Sequence, residues 1–416
     1  MQLQSIQSLT LPNGFVAVLE EMPDVQSAAF SLLIPAGCIW ENEGVNGTAS
    51  ALGDLVTRGA GSRDSRTLST DLDNLGVQRS EQVGWNFISL SGALLAENLL
   101  AALEIYADIA QRPHLPDDEF EPVMAGLEQG LLALEDEPQR KLSTELRRRT
   151  YHAPWNRPTE GDLGDLPNIS MDVVREHAAR GFRPNGAILG VAGRFDVEEL
   201  KARITSRFGN WPSVTIPDLV PGARGKQIDH VMHPSTQVQI GLTYPAPPYG
   251  DPDYYAAWAA ASVLGGGPSA RLFMEVREKR GLCYSVQASL NSLKTEGRTM
   301  IYAGTTTERA QETLDVILTE LWRLNDGFGE DELQRCLARA KSSLIMQQES
   351  TSARAASLAR DWFHLGRVTT LEEVRHELES LTVPGVLEVA RKYAPKDLTV
   401  LTLGPQALEI RVGKNG

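Results

Sequence analysis

An internal duplication constrains the fold of this chain more than any other feature of its sequence. The segment "AAFSLLIPAG" at 28–37 resembles "VQIGLTYPAP" at 238–247, and "LPDDEFEPVMAGLEQGLL" at 115–132 resembles "FGEDELQRCLARAKSSLI" at 328–345. The second pair shares an acidic helix start and the apolar spacing that follows. From 28 to 238 the offset is 210 residues and from 115 to 328 it is 213, so both matches fit one duplication. A period this long excludes a solenoid and predicts two similar domains. A chain of 416 residues also exceeds what one hydrophobic core supports.

Strand and helix patterns cluster within each half instead of alternating strictly. This predicts two homologous α+β domains, each a largely antiparallel sheet with helices packed on one face. "SLTLPNGFVAVLE" reads as a hairpin turning at Asn13-Gly14, with "SAAFSLLIPAG" as the next strand. Helical patterns follow at 45–58 and 66–75, a strand pair at 78–93, and long helices at 96–111 and 117–149. "GAILGVAG" at 186–193 is a strand, and Asp196 caps the helix "DVEELKARITSRFG". Between Gly209 and Gln237, Pro212, Pro217, Pro221, Gly222, Gly225 and Pro234 break any periodicity. The expected division is an N-terminal domain at 1–212, a linker at 213–236 and a C-terminal domain at 237–416.

A net charge of −14 and a pI near 5.1 argue against nucleic acid as the main partner. The one basic run, Arg147–Arg149, reads as a solvated helix face. No apolar run approaches the roughly 18 residues of a membrane span. The start "MQLQSIQSLTLPNG" lacks the basic and apolar regions of a signal peptide. A soluble chain, cytoplasmic rather than periplasmic, is expected. Cys38, Cys283 and Cys336 are too few and too scattered for a disulfide framework or a thiolate zinc site, and fit a reducing compartment or simply buried thiols.

Two segments, 44–62 and 269–286, hold the residues that bear most on chemistry. In "GVNGTASALGDLVTRGAGS" (44–62), Ser50, Gly53 and Asp54 fall at i, i+3 and i+4 on one helix face, the frame of a metal site with poor ligands. His230 and His233 stand three apart without a third ligand and read as a surface pair. Glu176-His177 is half of an inverted zinc motif, with Val173 where the first His belongs, and reads as a helix surface. His114, His152, His364 and His376 stand alone. There is no G-x-S-x-G elbow, and "LGGGPSARLF" lacks the Lys and Ser/Thr of a phosphate loop. In "SARLFMEVREKRGLCYSV" (269–286), Leu272, Phe273 and Val276 form an apolar helix stripe that Gly281 closes, and a strand follows. Arg277 and Tyr284 flank that corner. Such a pair can bind a peptide carbonyl and an oxyanion, or be a surface Arg beside a half-buried strand Tyr.

This segment, with "LPNGFVAVLEE", "AGCIWENEGVNGTA", "LVTRGAGSRDS", "LALEDEP" and "VAGRFDVEEL", closely resembles the pitrilysin/insulinase-like zinc peptidases, the inverzincins. Among them it looks most like the branch that includes the mitochondrial processing peptidase subunits. The resemblance spans essentially the whole chain and implies two homologous α+β domains forming half of a chamber. Active members carry H-x-x-E-H and a further Glu about 76 residues on, which hold zinc and polarise its water. Anchored on "TRGAG" and "LEDEP", these positions fall here on Ser50, Gly53, Asp54 and Gly130, and Asp54 and Gly130 are 76 residues apart. The zinc ligands and the base are therefore expected to be lost. Active members also use an Arg and a Tyr seven positions apart near this corner, a spacing that Arg277 and Tyr284 share.

The resemblance thus implies a non-zinc subunit of a heterodimeric metallopeptidase. It would bind no cofactor itself, and the Zn²⁺ and general base would come from a zinc-bearing homologous partner. Arg277 and Tyr284 would act in trans on an unfolded peptide docked on a sheet edge. The alternative is a catalytically inactive structural or peptide-binding homologue, like the core proteins of the respiratory cytochrome bc complex.

Overall fold

The computed structural model describes residues 4–216 and 218–410. They form two compact units. Unit 1 draws on the chain up to Ala133, Ala153–Gly222 and Gln347–Val368. Unit 2 draws on Leu134–His152, Ala223–Met346 and the chain from Thr369.

The strands of unit 1 are β1 (Ser5–Thr10), β2 (Val16–Glu21), β3 (Ser27–Ile34), β4 (Gly59–Ala60), β5 (Arg63–Asp64), β6 (Gln78–Val83), β7 (Ile88–Leu95) and β8 (Ile188–Gly193). Six of them form a sheet in the order β1-β2-β8-β3-β7-β6, while β4 and β5 make a separate short hairpin. Unit 2 contains β9 (Ile228–Met232), β10 (Gln237–Ala246), β11 (Cys283–Ser292), β12 (Gly297–Thr306) and β13 (Thr399–Gly404), in the order β11-β12-β10-β13-β9. Each sheet is antiparallel except for one parallel pair, β2 with β8 and β9 with β13. The orders β6-β7-β3-β8-β2 and β11-β12-β10-β13-β9 match strand for strand. The duplication is therefore topological: the matched segments 28–37 and 238–247 supply the central strands β3 and β10. The second matched pair supplies the helices Phe120–Ala133 and Glu330–Gln348.

Local chemistry accounts for most elements. The β1–β2 turn places Gly14 at φ +87°, where a side chain would be strained. Asp196 accepts a hydrogen bond from the Glu199 N–H and caps Val197–Phe208. Alternation along β10 sends Val238, Ile240, Leu242 and Tyr244 into the unit 2 core. That core also holds Leu264 and Val263 of helix Tyr254–Gly265, Leu314 and Ile317 of helix Ala310–Arg323, and Val386 of helix Val383–Lys392.

The second face of each sheet is covered by a single helix, so helices are not confined to one face. Each of these helices comes from the opposite half of the sequence. In unit 2, helix Pro138–Thr150 lays Leu142 and Leu146 against Leu401 and Leu403. It crosses β10 at Gly241, where a Cβ would stand 2.9 Å from Leu146. In unit 1, helix Thr351–Leu365 crosses β8 at Gly190, where a Cβ would stand 2.2 Å from the Ala355 carbonyl oxygen. Beside it Arg354 donates to Glu20 on β2 at 2.7 Å, with both side chains buried.

Four sequence expectations are corrected. The single helix expected over 117–149 breaks, with Pro138 opening a new helix; Glu137 before it sits at φ −116°, ψ 74°, because a residue preceding proline avoids the α region. The segment expected as linker contains β9, whose parallel partner β13 lies far along the chain, so no local pattern announced it. His177 is not on a helix surface: it is 1% exposed, and its Nε2 is 2.9 Å from the Ala36 carbonyl oxygen. Arg149 is not solvated either, being paired with Glu145 and Asp229 at 2.6 and 2.7 Å.

Candidate functional site

The corner at 269–286 is built in three steps. Ala270 accepts the Met274 N–H in a normal helical turn, then Phe273–Glu278 widens into a π turn, in which Met274 accepts the Lys279 N–H. Such insertions recur at functional sites. Gly281, at φ +61°, closes the helix by donating to the Arg277 carbonyl. On β11, Cys283 pairs with Thr305 and Ser285 with Gly304, which leaves Tyr284 as the extra residue of a β-bulge. β11 is also an edge strand, so its outer backbone has no partner within the sheet.

The charges around the corner are mostly paired. Arg271 makes a two-pronged contact with Glu332, at 2.8 Å from Nε. Lys279 and Arg280 both bind Glu275, at 2.5 and 2.7 Å. The Arg277 side chain has no hydrogen bond or ion pair to any described residue. Its guanidinium carbon lies 4.7 Å from the Phe273 ring centroid and 5.7 Å from that of Tyr284. Ring contacts of this kind hold a guanidinium in place through the π quadrupole while leaving its N–H groups free to donate. Tyr284 is 85% exposed. The neighbouring Cys283 is no nucleophile, since burial pushes its thiol up to about 11.

Tyr284 lines a groove of about 580 Å³ on the face of the unit 2 sheet opposite its core. The helix Pro138–Thr150 covers the rest of that face, and its first residues, Pro138 and Gln139, form one end of the groove. Gln237, Gln239, Tyr302, Thr305, Thr306 and Arg309 line the remainder. The Gln239 amide is 2% exposed and accepts the Tyr302 hydroxyl at 2.7 Å. None of these groove residues stood out in the sequence. They come from three separated segments, 138–139, 237–239 and 302–309, and a π turn or a bulge has no short-range sequence signal.

Ser50, Gly53 and Asp54 lie on helix Thr48–Leu55, which packs against helix Phe120–Ala133 carrying Gly130. The structure does not offer zinc a donor set there. The Ser50 hydroxyl donates to the Thr159 carbonyl at 2.7 Å, and Asp54 pairs with Arg58 at 2.8 Å. Gly53 faces Val83, whose Cγ2 would be 2.8 Å from a Cβ, and Gly130 has open space around it. Among the described residues no group of three or more His, Cys, Asp or Glu stands together to hold a metal. The helix is anchored at its start by Glu41, whose Oε1 accepts the Gly47 and Ala49 N–H groups at 3.1 and 2.7 Å. Burial pushes this carboxyl up to about 7. The histidines have other partners: His114 with the Gly61 carbonyl, His230 with the Thr402 hydroxyl and His233 with the Glu135 carbonyl, at 2.8, 2.8 and 2.9 Å. No described helix is long and apolar enough to cross a membrane.

The duplicated α+β fold, with one strand order in both units, is shared with proteins of a peptidase class. Residues 16–163 match the family model "Insulinase (Peptidase family M16)", and residues 168–340 match "Peptidase M16 inactive domain". The chain belongs to the M16 peptidase family. It is 25% identical over 404 residues to YmxG of Bacillus subtilis, described as an uncharacterized zinc protease, covering 96% of this chain and 98% of that protein. An uncharacterized zinc protease of Mycobacterium tuberculosis is 25% identical over 411 residues, covering 95% of this chain and 92% of that one. Two solved structures share the fold. A peptidase M16 inactive domain from Pseudomonas fluorescens has TM-score 0.88 and 21% identity, covering 98% of this chain and 99% of that chain. A protease from Helicobacter pylori has TM-score 0.89 and 20% identity, covering 97% and 100%.

Proposed function

We propose that this chain is the non-zinc subunit of a heterodimeric M16 metallopeptidase. One observation carries the reading: in a helix end whose other cations are paired, Arg277 has no described acidic partner and stacks on Phe273 and the exposed Tyr284. Unused donors held in a fixed orientation are what recognition of a peptide carbonyl requires. An extended substrate would add to the free edge of β11, its backbone hydrogen-bonding there and its side chains reaching the groove. Arg277 N–H groups would hold the peptide carbonyl, and the Tyr284 hydroxyl would donate to the oxyanion that develops during hydrolysis. The Zn²⁺ and general base would belong to a partner carrying the H-x-x-E-H motif, because Ser50, Gly53, Asp54 and Gly130 do not provide them.

The test is to copurify this chain with such a homologue and assay cleavage of an unfolded peptide. Activity is expected only in the mixture. Tyr284→Phe is expected to lower kcat about 100-fold or more, the usual effect of removing an oxyanion donor, and Arg277→Ala to lower kcat/KM sharply. Full activity in both variants would favour the alternative, a scaffold or peptide-binding homologue without a catalytic role. Stoichiometric zinc in the isolated chain would overturn both readings.

A further inference from the structure

We propose that the unit 2 groove selects peptides bearing an acidic side chain, and that Arg309 reads that charge. The proposal rests on the peptide docking described above and adds the class of substrate. In a chain with 54 acidic residues and a net charge of −14, no Asp or Glu among the described residues lines this groove. Arg309 is the one charged lining residue among those described. The exposed Arg309 side chain donates from Nη1 to the Gly281 carbonyl, and no described carboxylate is bonded to it. The adjacent Glu308 carboxylate is held low mainly by its own backbone N–H and the Thr306 hydroxyl and only lastly by the Arg309 charge, with which it makes no ion pair among the described residues. The Gly281 N–H is in turn bonded to the Arg277 carbonyl. The Arg277 guanidinium, 5.7 Å from the Tyr284 ring centroid, belongs to the same corner, and Arg309 stands beside a floor of neutral amide and hydroxyl groups such as Gln239 and Tyr302. A peptide carboxylate arriving there gains a charge-assisted hydrogen bond, whereas a lysine or arginine meets like charge.

The test uses the full chain alone and fluorescein-labelled, C-terminally amidated extended peptides of about ten residues, long enough to add a strand. They form matched sets in which one position, moved along the peptide, is Glu, Gln or Lys. In the best register the Glu peptide is expected to bind about threefold to tenfold tighter than its Gln counterpart, with Lys weakest. High salt should compress the difference, since the pair is partly exposed. Arg309→Gln is expected to erase the preference while still binding the Gln peptide, and Arg309→Lys to retain part of it. Equal affinity across every matched set, or a Glu preference that persists in Arg309→Gln, would overturn the proposal and leave peptide docking standing. Failure of every peptide to bind would overturn peptide docking itself, and this proposal with it.

Discussion

The ion pair between Glu20 and Arg354 fastens helix Thr351–Leu365 to the unit 1 sheet, and its removal is predicted to be among the costliest single changes in that unit. The two side chains are 6% and 2% exposed and 2.7 Å apart. Arg354→Met would leave the Glu20 carboxylate buried, with the Gln4 amide at 2.6 Å as its described partner. Leaving one charge of a buried pair uncompensated costs about 3–5 kcal/mol. At about 2–4 °C per kcal/mol for a domain of this size, Tm should fall by roughly 6–20 °C. The pair itself is imperfect, because Arg354 Nη2 is buried with no hydrogen-bond partner among the described residues. Replacing both charges, as in Glu20→Leu with Arg354→Met, should therefore recover stability to within about 1–2 kcal/mol of the parent. Urea titrations followed by circular dichroism measure both variants. A single-variant loss below about 1 kcal/mol, or a double variant no more stable than the single one, would refute the reasoning.

Other changes follow from the same geometry. Gly190→Ala should destabilise unit 1 by about 1–3 kcal/mol, since its methyl meets the Ala355 backbone, which cannot yield as a side chain tip would. Gly130→Ala, in a helix with open space, should instead stabilise by about 0.5–1 kcal/mol; thermal melts of the two variants should shift in opposite directions. Glu41 has a folded pKa raised to about 7 from 4.5, so the native state favours its protonated form. Its contribution is present in full below pH 4.5 and is lost as pH rises to about 7, a loss of up to about 3 kcal/mol. Glu41→Gln should remove that component from a plot of stability against pH, and an unchanged plot would contradict the assignment. The combination Ser50→His, Gly53→Glu, Asp54→His and Gly130→Glu should acquire zinc affinity, measured by competition with a chromophoric chelator. Val83→Ala is needed alongside it, because a Cβ at position 53 meets Val83 at 2.8 Å. No zinc uptake by this folded variant would count against the register that aligns these positions with a zinc site.

The sequence carried the duplicated architecture because repeats, turns and caps are encoded locally. The 28–37 and 238–247 segments became the central strands β3 and β10, and Asn13-Gly14, Asp196 and Gly281 act where short-range stereochemistry put them. Arg277 and Tyr284 were legible as neighbours of one corner from the apolar helix stripe, the closing Gly281 and the strand pattern after it. Their stacking was not. It goes with a π turn at Phe273–Glu278 and a bulge at Tyr284.

The sequence by itself determined which side chains are available: an Arg and a Tyr at a helix-to-strand corner, and Ser50, Gly53 and Asp54 on one helix face with no strong metal donor set among them. Only the tertiary structure decided which helix covers which sheet face, that β9 pairs with β13, and that Arg309, Tyr302 and Gln239 share a groove with Tyr284. The reason is range. Propensity and periodicity act over a few residues, whereas Pro138–Thr150 finds its place against Gly241 and Leu401, and Thr351–Leu365 against Gly190, only through packing between segments far apart in the chain.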